Sequence, residues 1–259
     1  MLFAAIIVVR GDIMQVLMDD RFIDGIPVNE YFLPNVTNFK GVFFMMHGHT
    51  SSKDYGTGLF PKRLAELGYF AVTLDAYKHG LRKLEPYISG NNDDKVAEMP
   101  SVILETVRNI SHLYKNYYSH FSPYVSIMGI SMGAMIAWQL PKFLPNVKIV
   151  ISLIGTPDFA RLFDDINLDC YQSTTKTDLF KIISQLDIHD SIINYKDIQI
   201  YCANGRQDTL VNYQHTADFL LKHQNVFLTK PVLKLYDTSH DTPQVMIDDL
   251  FEWLKSKGE

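Results

Sequence analysis

The chain has 259 residues, of which 47% are hydrophobic and 20% charged, so it can bury a sizeable core and does not have a disordered composition. The formal net charge of −5 disfavours nucleic acid or an anionic membrane surface as the main partner, because both need a basic face. Two cysteines, Cys170 and Cys202, are too few for a disulfide framework and indicate a reducing compartment, so we expect a cytoplasmic protein.

The chain begins with a short apolar segment. Residues 2–9 are too few to cross a bilayer, and they lack the basic start and the cleavage site of a signal peptide. We therefore expect no membrane span. We interpret residues 1–13 either as a wrongly assigned start, with translation beginning at Met14, or as a disordered extension. Residues 14–259 are expected to form a single domain.

From residue 15 onward, short β-rich segments alternate with amphipathic helical segments. The predicted strands are Gln15–Met18, Ile26–Phe32, Val42–Met46, Phe70–Leu74, Tyr124–Met128, Lys148–Leu153, Ile198–Ala203 and Val232–Tyr236. The predicted helices are Gly58–Leu67, Ser101–Tyr118, Met132–Lys142, Thr177–Leu186, Tyr213–His223 and Pro243–Lys257. The first two strands have no helix between them, which indicates an antiparallel start, and the central strands are apolar throughout. The pattern predicts an α/β fold with a mostly parallel eight-stranded sheet flanked by helices.

One connection is longer than a simple crossover needs. About forty residues, 156–197, separate the sixth and seventh predicted strands. They could form one crossover helix and an irregular loop. Alternatively, they could form a small helical lid insertion whose apolar residues, Phe159 and Phe163 among them, line a substrate pocket.

The sequence Gly129–Gly133 reads G-x-S-x-G and lies between a predicted strand and a predicted helix. A serine on such a turn has a strained backbone, and its hydroxyl stands clear of the sheet. The helix after it directs its first N–H groups toward negative charge that develops beside the serine. Although the five-residue pattern is loose, its position favours Ser131 as a nucleophile.

A serine nucleophile needs a base, and the base needs an acid that orients it. In a fold with the serine after a middle strand, the acid and the histidine follow on the loops after later strands. Asp208 follows the strand Ile198–Ala203, and His240 follows Val232–Tyr236. Either residue alone could be a capping aspartate or a surface histidine, but the two in this order predict a triad with Ser131.

An oxyanion hole requires two preorganised N–H donors. The first candidate is the backbone N–H of Met132, the residue after the nucleophile. The second is the backbone N–H of His49, in the loop that starts with His47 after the third strand. Gly48 in this loop would let the backbone approach a ligand closely.

Together these residues resemble the α/β-hydrolase superfamily. The segments His47–Asp54 and Asp75–Arg82 are similar to those of small bacterial serine esterases and prolyl-oligopeptidase-like hydrolases. The resemblance covers the chain from about Gln15 to its end. It implies that Ser131 is the nucleophile, His240 the base and Asp208 the acid.

By the same resemblance, Met132 and His49 are the oxyanion donors, and no cofactor or metal is implied. The pocket-shaping residues are expected to be His47, Gly48, His79, Phe159 and Phe163. The sequence shows no N-terminal propeller, which favours a small-molecule carboxylic ester over a peptide as the substrate.

Other functions stay open at this level. Peptidase, amidase and thioesterase activity would use the same triad. A metallohydrolase could use His47 and His49 as a metal pair, with Asp208 and His240 as further ligands. A binding protein could also use this scaffold without catalysis. The sequence does not indicate the natural substrate, the acyl chain length or the oligomeric state.

Overall fold

The computed structural model describes residues 3–9, 12–165 and 173–257 of the chain. In this part of the chain, nine strands form one sheet: β1 (Phe3–Val9), β2 (Asp12–Ile23), β3 (Ile26–Phe32), β4 (Val42–Met46), β5 (Phe70–Leu74), β6 (Val125–Ile130), β7 (Val147–Leu153), β8 (Gln199–Gly205) and β9 (Val232–Tyr236). Their order is β1-β2-β3-β5-β4-β6-β7-β8-β9. The pairs β1–β2, β2–β3 and β3–β5 are antiparallel. The remaining pairs, from β5–β4 to β8–β9, are parallel. All eight predicted strands are present, so the predicted α/β fold with an antiparallel start is confirmed.

The sequence pattern did not predict the first strand, β1. β1 pairs with β2 from Phe3 opposite Met18 to Val9 opposite Asp12, so residues 3–9 form an edge strand where we had considered a disordered extension. The apolar, β-branched composition of this segment suits an added strand. That translation begins at Met14 stays a prediction.

Seven helices flank the described part of the sheet: α1 (Phe60–Glu66), α2 (Asn92–Leu113), α3 (Met132–Gln139), α4 (Phe159–Asp165), α5 (Ser173–Leu186), α6 (Tyr213–Lys222) and α7 (Gln244–Lys255). One apolar core lies between the sheet and α2 to α6, and the other lies between the sheet and α1 with α7. β4 contributes to both cores because its side chains alternate: Phe44 and Met46 join the first, and Phe43 and Met45 the second. This is why the central strands are apolar throughout.

Helix α2 begins nine residues before its predicted start at Ser101. Proline lacks the N–H that a helix interior uses and is therefore uncommon there. In the structure Pro100 lies inside the helix, and the helix begins after Asn91, whose side chain accepts a hydrogen bond from the N–H of Asp94 over 2.8 Å. The cap and two acidic residues in the first turn favour the earlier start.

The long connection 156–197 contains α4, α5 and a short 3₁₀ turn at Ile192–Tyr195, while its residues 166–172 lie outside the described part. Leu179 and Ile183 of α5 are buried in the core that α2 shares. The connection is therefore more helical than a single crossover helix with a loop. That it acts as a lid stays a prediction.

The parallel strands bring their carboxyl ends to one edge of the sheet. The loops that follow β4, β6, β7, β8 and β9 therefore meet at this edge. They carry His49, Ser131, Ile154, Asp208 and His240, respectively.

Candidate active site

Ser131 lies on a sharp turn between β6 and α3. Its φ of 55° and ψ of −118° are strained for a residue with a side chain, and its N–H donates to Leu153 O over 2.8 Å, which holds the turn against β7. The two glycines of the motif are needed sterically. A Cβ at Gly129 would lie 2.1 Å from the backbone of Gly133, and a Cβ at Gly133 would lie 2.4 Å from Met46 O. The turn therefore requires the residues that the sequence supplies.

Ser131, His240 and Asp208 form one hydrogen-bonded chain. His240 Nε2 lies 2.8 Å from Ser131 Oγ, and His240 Nδ1 lies 2.7 Å from Asp208 Oδ2. The Asp208 side chain is fully buried, whereas the His240 ring is partly exposed. Since a carboxylate can only accept, Nδ1 carries the proton and Nε2 is left to accept one from the serine hydroxyl.

The second oxygen of Asp208 is also occupied. Asp208 Oδ1 accepts hydrogen bonds from the N–H groups of Leu210 and Val211, both at 2.9 Å. Although burial opposes ionisation, the hydrogen bonds from His240 and these two N–H groups lower the pKa of Asp208 below its usual value. The aspartate is therefore a fixed anion with one defined orientation.

Both predicted oxyanion donors lie beside Ser131. Met132 is the first residue of α3, and the first N–H groups of a helix have no acceptor within it. Across the serine, a Cβ at Gly48 would lie 3.6 Å from Ser131 Cβ, which places the loop after β4 directly against the nucleophile. Neither the Met132 nor the His49 N–H donates to another group in the part of the chain that the structure describes.

The ring of His49 is held by a hydrogen-bond chain that the sequence did not reveal. The hydroxyl of Tyr87 donates to Lys95 O over 3.0 Å, so it accepts from His49 Nε2, 3.2 Å away. The ring of His79 packs against that of Tyr87 in a tilted arrangement, with 4.2 Å between centroids. The loop with the proposed oxyanion donor is thereby tied to the start of α2.

A cavity of about 630 Å³ opens above Ser131. Gly48, His49 and His240 lie on its wall, and so do eight apolar side chains: Val96, Met99, Ile130, Met135, Ile154, Leu162, Leu210 and Val211. Asn92, Asp93, Asp241 and Thr242 add polar groups, and no lysine or arginine lines it within the described residues. The volume is in the range of small-molecule sites, ~300–1,000 Å³.

The five residues predicted to shape the pocket lie at different depths around the cavity. Of these residues, only Gly48 lines the cavity. Phe159 and Phe163 are buried in the core, and Leu162 of the same helix faces the cavity instead. His47 and His79 are fully buried beneath the wall. The Asn91 cap was the sequence signal that could have placed Val96 and Met99 on a helix beside the site.

Ile154 carries unusual backbone strain. Its φ is 46°, in a region that β-branched residues seldom adopt, and its N–H donates to Ala203 O over 2.7 Å. The residue follows β7 and lines the cavity. The strained conformation directs the chain away from the sheet beside Ser131, where strain is often kept by function.

The metal-pair alternative loses one of its ligands. His47 Nε2 accepts from the Ala76 N–H over 3.1 Å, and its Nδ1 lies 2.8 Å from Gly48 O, so both ring nitrogens are engaged by the backbone. Among the described residues, no group of three or more His, Cys, Asp or Glu side chains is arranged to hold a metal ion.

None of the helices in the described part of the chain has the length and apolar character needed to cross a membrane.

Comparisons with known proteins agree with this architecture. No protein-family model matches the chain. It is 22% identical over 228 residues to the protein named "Putative esterase YitV" of Bacillus subtilis (strain 168), covering 82% of this chain and 87% of that one. The structure is similar to TT1662 from Thermus thermophilus, with a TM-score of 0.74, 18% identity and coverage of 95% and 99% of the two chains.

A second structural relative is the Pyrococcus furiosus esterase Pf2001, with a TM-score of 0.63, 19% identity and coverage of 92% and 90%. The protein has the α/β-hydrolase fold, as the sequence predicted. The comparisons further support the prediction of an esterase-type hydrolase.

Proposed function

We propose that the protein is a serine esterase that cleaves small carboxylic esters through an acyl-enzyme on Ser131. The observation that carries the proposal is the hydrogen-bonded chain from Asp208 through His240 to Ser131 Oγ, at 2.7 and 2.8 Å, at the base of an apolar cavity. A serine becomes nucleophilic when such a base takes its proton.

In the first half of the reaction, Ser131 Oγ attacks the ester carbonyl while its proton passes to His240 Nε2. The N–H groups of Met132 and His49 stabilise the oxyanion, and the buried charge of Asp208 stabilises the imidazolium. The bond between the carbonyl carbon and the alcohol oxygen then breaks. His240 gives its proton to that oxygen, and a neutral alcohol leaves.

In the second half, a water molecule takes the place of the alcohol. His240 accepts a proton from the water while the water oxygen attacks the acyl carbon. The bond to Ser131 Oγ breaks, and the proton on His240 returns to the serine. The products are a carboxylic acid and the free enzyme.

The walls of the cavity favour an uncharged acyl group. Binding becomes more favourable when an alkyl chain is buried against apolar side chains such as Met135 and Leu162, because apolar surface is removed from water. The carboxyl group of Asp241 on the same wall disfavours an anionic acyl group such as a dicarboxylate monoester, because like charges repel. Relatives named as esterases add support for an ester over an amide.

The test compares Ser131→Ala and His240→Ala with wild type on p-nitrophenyl acetate and butyrate, with Ser119→Ala, at an exposed serine, as the matched control. We expect both site variants to fold and to lose turnover by at least about 10³-fold, since residues of a triad act as a unit. A fluorophosphonate should label Ser131 in wild type and in Ser119→Ala but should label neither site variant. Full activity in either variant would overturn the assignment.

The same assay separates the alternatives. Amide and thioester analogues of the preferred ester show whether peptidase, amidase or thioesterase activity exceeds the esterase activity. Loss of activity with a chelator, together with activity in Ser131→Ala, would identify a metallohydrolase. Absence of both labelling and turnover would favour a binding protein.

A further inference from the structure

A second cavity of about 350 Å³ lies beside the first, between the loop that precedes α1 and the start of α7. The two cavities share Ile130 and Thr242 on their walls. These shared residues flank the reactive groups, because Ile130 directly precedes Ser131 and Thr242 follows His240 by two positions. The second cavity therefore adjoins the proposed active site at these two residues.

We propose that the second cavity binds the alcohol part of the ester, and that this alcohol is uncharged and apolar, either aromatic or branched alkyl. The inference rests on the proposed function and adds the leaving-group side of the substrate to it. The first, larger cavity would then hold the acyl part.

The direction of the reaction favours this assignment. When the tetrahedral intermediate collapses, His240 Nε2 must reach the oxygen of the leaving alcohol, so the alcohol lies on the His240 side of the carbonyl carbon. His240 and Ser131 line the first cavity together with Gly48 and His49, so the reacting carbonyl group lies there. Thr242, on the His240 loop, borders both cavities, so the substituent of an alcohol oxygen held at His240 enters the second cavity past Thr242.

The chemistry of the wall indicates the class of alcohol. Phe60, Ile130 and Ile247 present apolar surface to the second cavity. Its one arginine, Arg63, stacks with its guanidinium 3.8 Å from the centre of the Phe251 ring and pairs with Asp248 at 3.3 Å. This charge is thus already balanced within the protein, so among the described residues the wall offers an anionic alcohol no unpaired cation.

The experiment varies the two halves of the ester separately. The alcohol series is ethyl butyrate against benzyl butyrate, which form the same acyl-enzyme, and the acyl series is benzyl acetate against benzyl octanoate. The value of kcat/KM is measured for each. Because the paired alcohols have similar basicity, the ratio within the alcohol series reports on binding of the leaving group.

Two variants narrow the second cavity. Gln244→Trp changes an exposed position at the start of α7, and Ile247→Trp changes the adjacent turn of that helix. Val245→Trp is the matched control, because Val245 lies on the same helix, is 57% exposed and does not line the cavity. Val96→Trp, in the first cavity, is the complementary variant.

We expect Gln244→Trp and Ile247→Trp to lower the benzyl-to-ethyl ratio by roughly tenfold. Val245→Trp should leave the ratio at its wild-type value, and Val96→Trp should lower the octanoate-to-acetate ratio instead. The proposal is overturned if Gln244→Trp and Ile247→Trp turn over ethyl butyrate normally and keep the wild-type benzyl-to-ethyl ratio. It is also overturned if these two variants change the octanoate-to-acetate ratio instead. If wild type cleaves no ester, the proposed function fails as well.

Discussion

Asp208 Oδ2 accepts a hydrogen bond from His240 Nδ1 over 2.7 Å, while Oδ1 of the same carboxylate accepts two backbone N–H groups. Both oxygens must therefore be acceptors. This arrangement fixes the proton of the neutral histidine on Nδ1 and directs the basic Nε2 at Ser131, 2.8 Å away.

Replacing Asp208 with asparagine should reverse the tautomer of His240. The N–H groups of Leu210 and Val211 require the amide oxygen of the new residue, so its NH₂ group would face His240 Nδ1. The proton would then move to Nε2, which could no longer accept from Ser131. We expect kcat to fall by about 10³–10⁴-fold with folding retained, measured by steady-state hydrolysis. Asp237→Asn, at an exposed aspartate on the His240 loop, is the control; an equal loss there would contradict the argument.

Two glycines near the nucleophile should respond differently to alanine. At Gly48 a Cβ has ordinary contacts, 3.5 Å from Ile130 O and 3.6 Å from Ser131 Cβ, so Gly48→Ala should fold normally but occupy space above the nucleophile. We expect kcat/KM to fall roughly 10–100-fold with an unchanged Tm. At Gly133 the Cβ would lie 2.4 Å from Met46 O, so Gly133→Ala should lose about 1–3 kcal/mol of stability. Thermal melts with kinetics check both, and a lowered Tm in Gly48→Ala would be the contrary result.

Removing the hydroxyl of Tyr87 should loosen the oxyanion loop. In Tyr87→Phe, the His49 Nε2–H loses its acceptor at 3.2 Å, while the aromatic packing against His79 is retained. We expect kcat to fall by less than the ~10²–10³ that loss of a whole donor costs, with KM nearly unchanged. Tyr124→Phe, at a half-exposed tyrosine away from the site, should behave as wild type. A change in KM alone would indicate that Tyr87 serves packing and not the position of the loop.

His79 should make the fold sensitive to acid. Burial, opposed only in part by a hydrogen bond to Tyr77 O, lowers the pKa of His79 from 6.5 to about 3, and burial also lowers the pKa of His47 and His49. Below about pH 6.5 the unfolded chain gains a proton on His79 that the folded protein does not bind. The stabilisation is therefore complete above pH 6.5 and decreases as the pH falls toward 3.

The unfolding free energy should thus be lower at pH 4 than at pH 8, with His79 contributing up to about 3 kcal/mol of the difference. His79→Asn keeps a donor for Tyr77 O but does not titrate, so the difference should shrink in this variant. Urea unfolding at the two pH values measures it. His120→Asn, at an exposed histidine, is the control, and an equal acid sensitivity in His79→Asn and wild type would contradict the prediction.

Much of the architecture could be predicted because it depends on local pattern. Apolar runs of strand length alternating with amphipathic helices specify a parallel sheet, and parallel strands end at one edge. The sequence positions of Ser131, Asp208 and His240 after three such strands were therefore enough to predict that their side chains meet, and the distances agree. The predicted start of α2 was nine residues too late because the helix begins at the Asn91 cap, which the sequence analysis did not use.

The order of the elements, and the edge of the sheet at which the proposed triad assembles, follow from the sequence alone because they depend on hydrophobic periodicity and on chain direction. Which side chains reach the cavity depends on tertiary packing. On α4, Leu162 faces the cavity while Phe159 and Phe163 enter the core, because the rotation of a helix about its axis is set by packing against its neighbours. For the same reason, the cavity bordered by Ile130 and Thr242 emerged only from the way α7 packs beside the loop before α1.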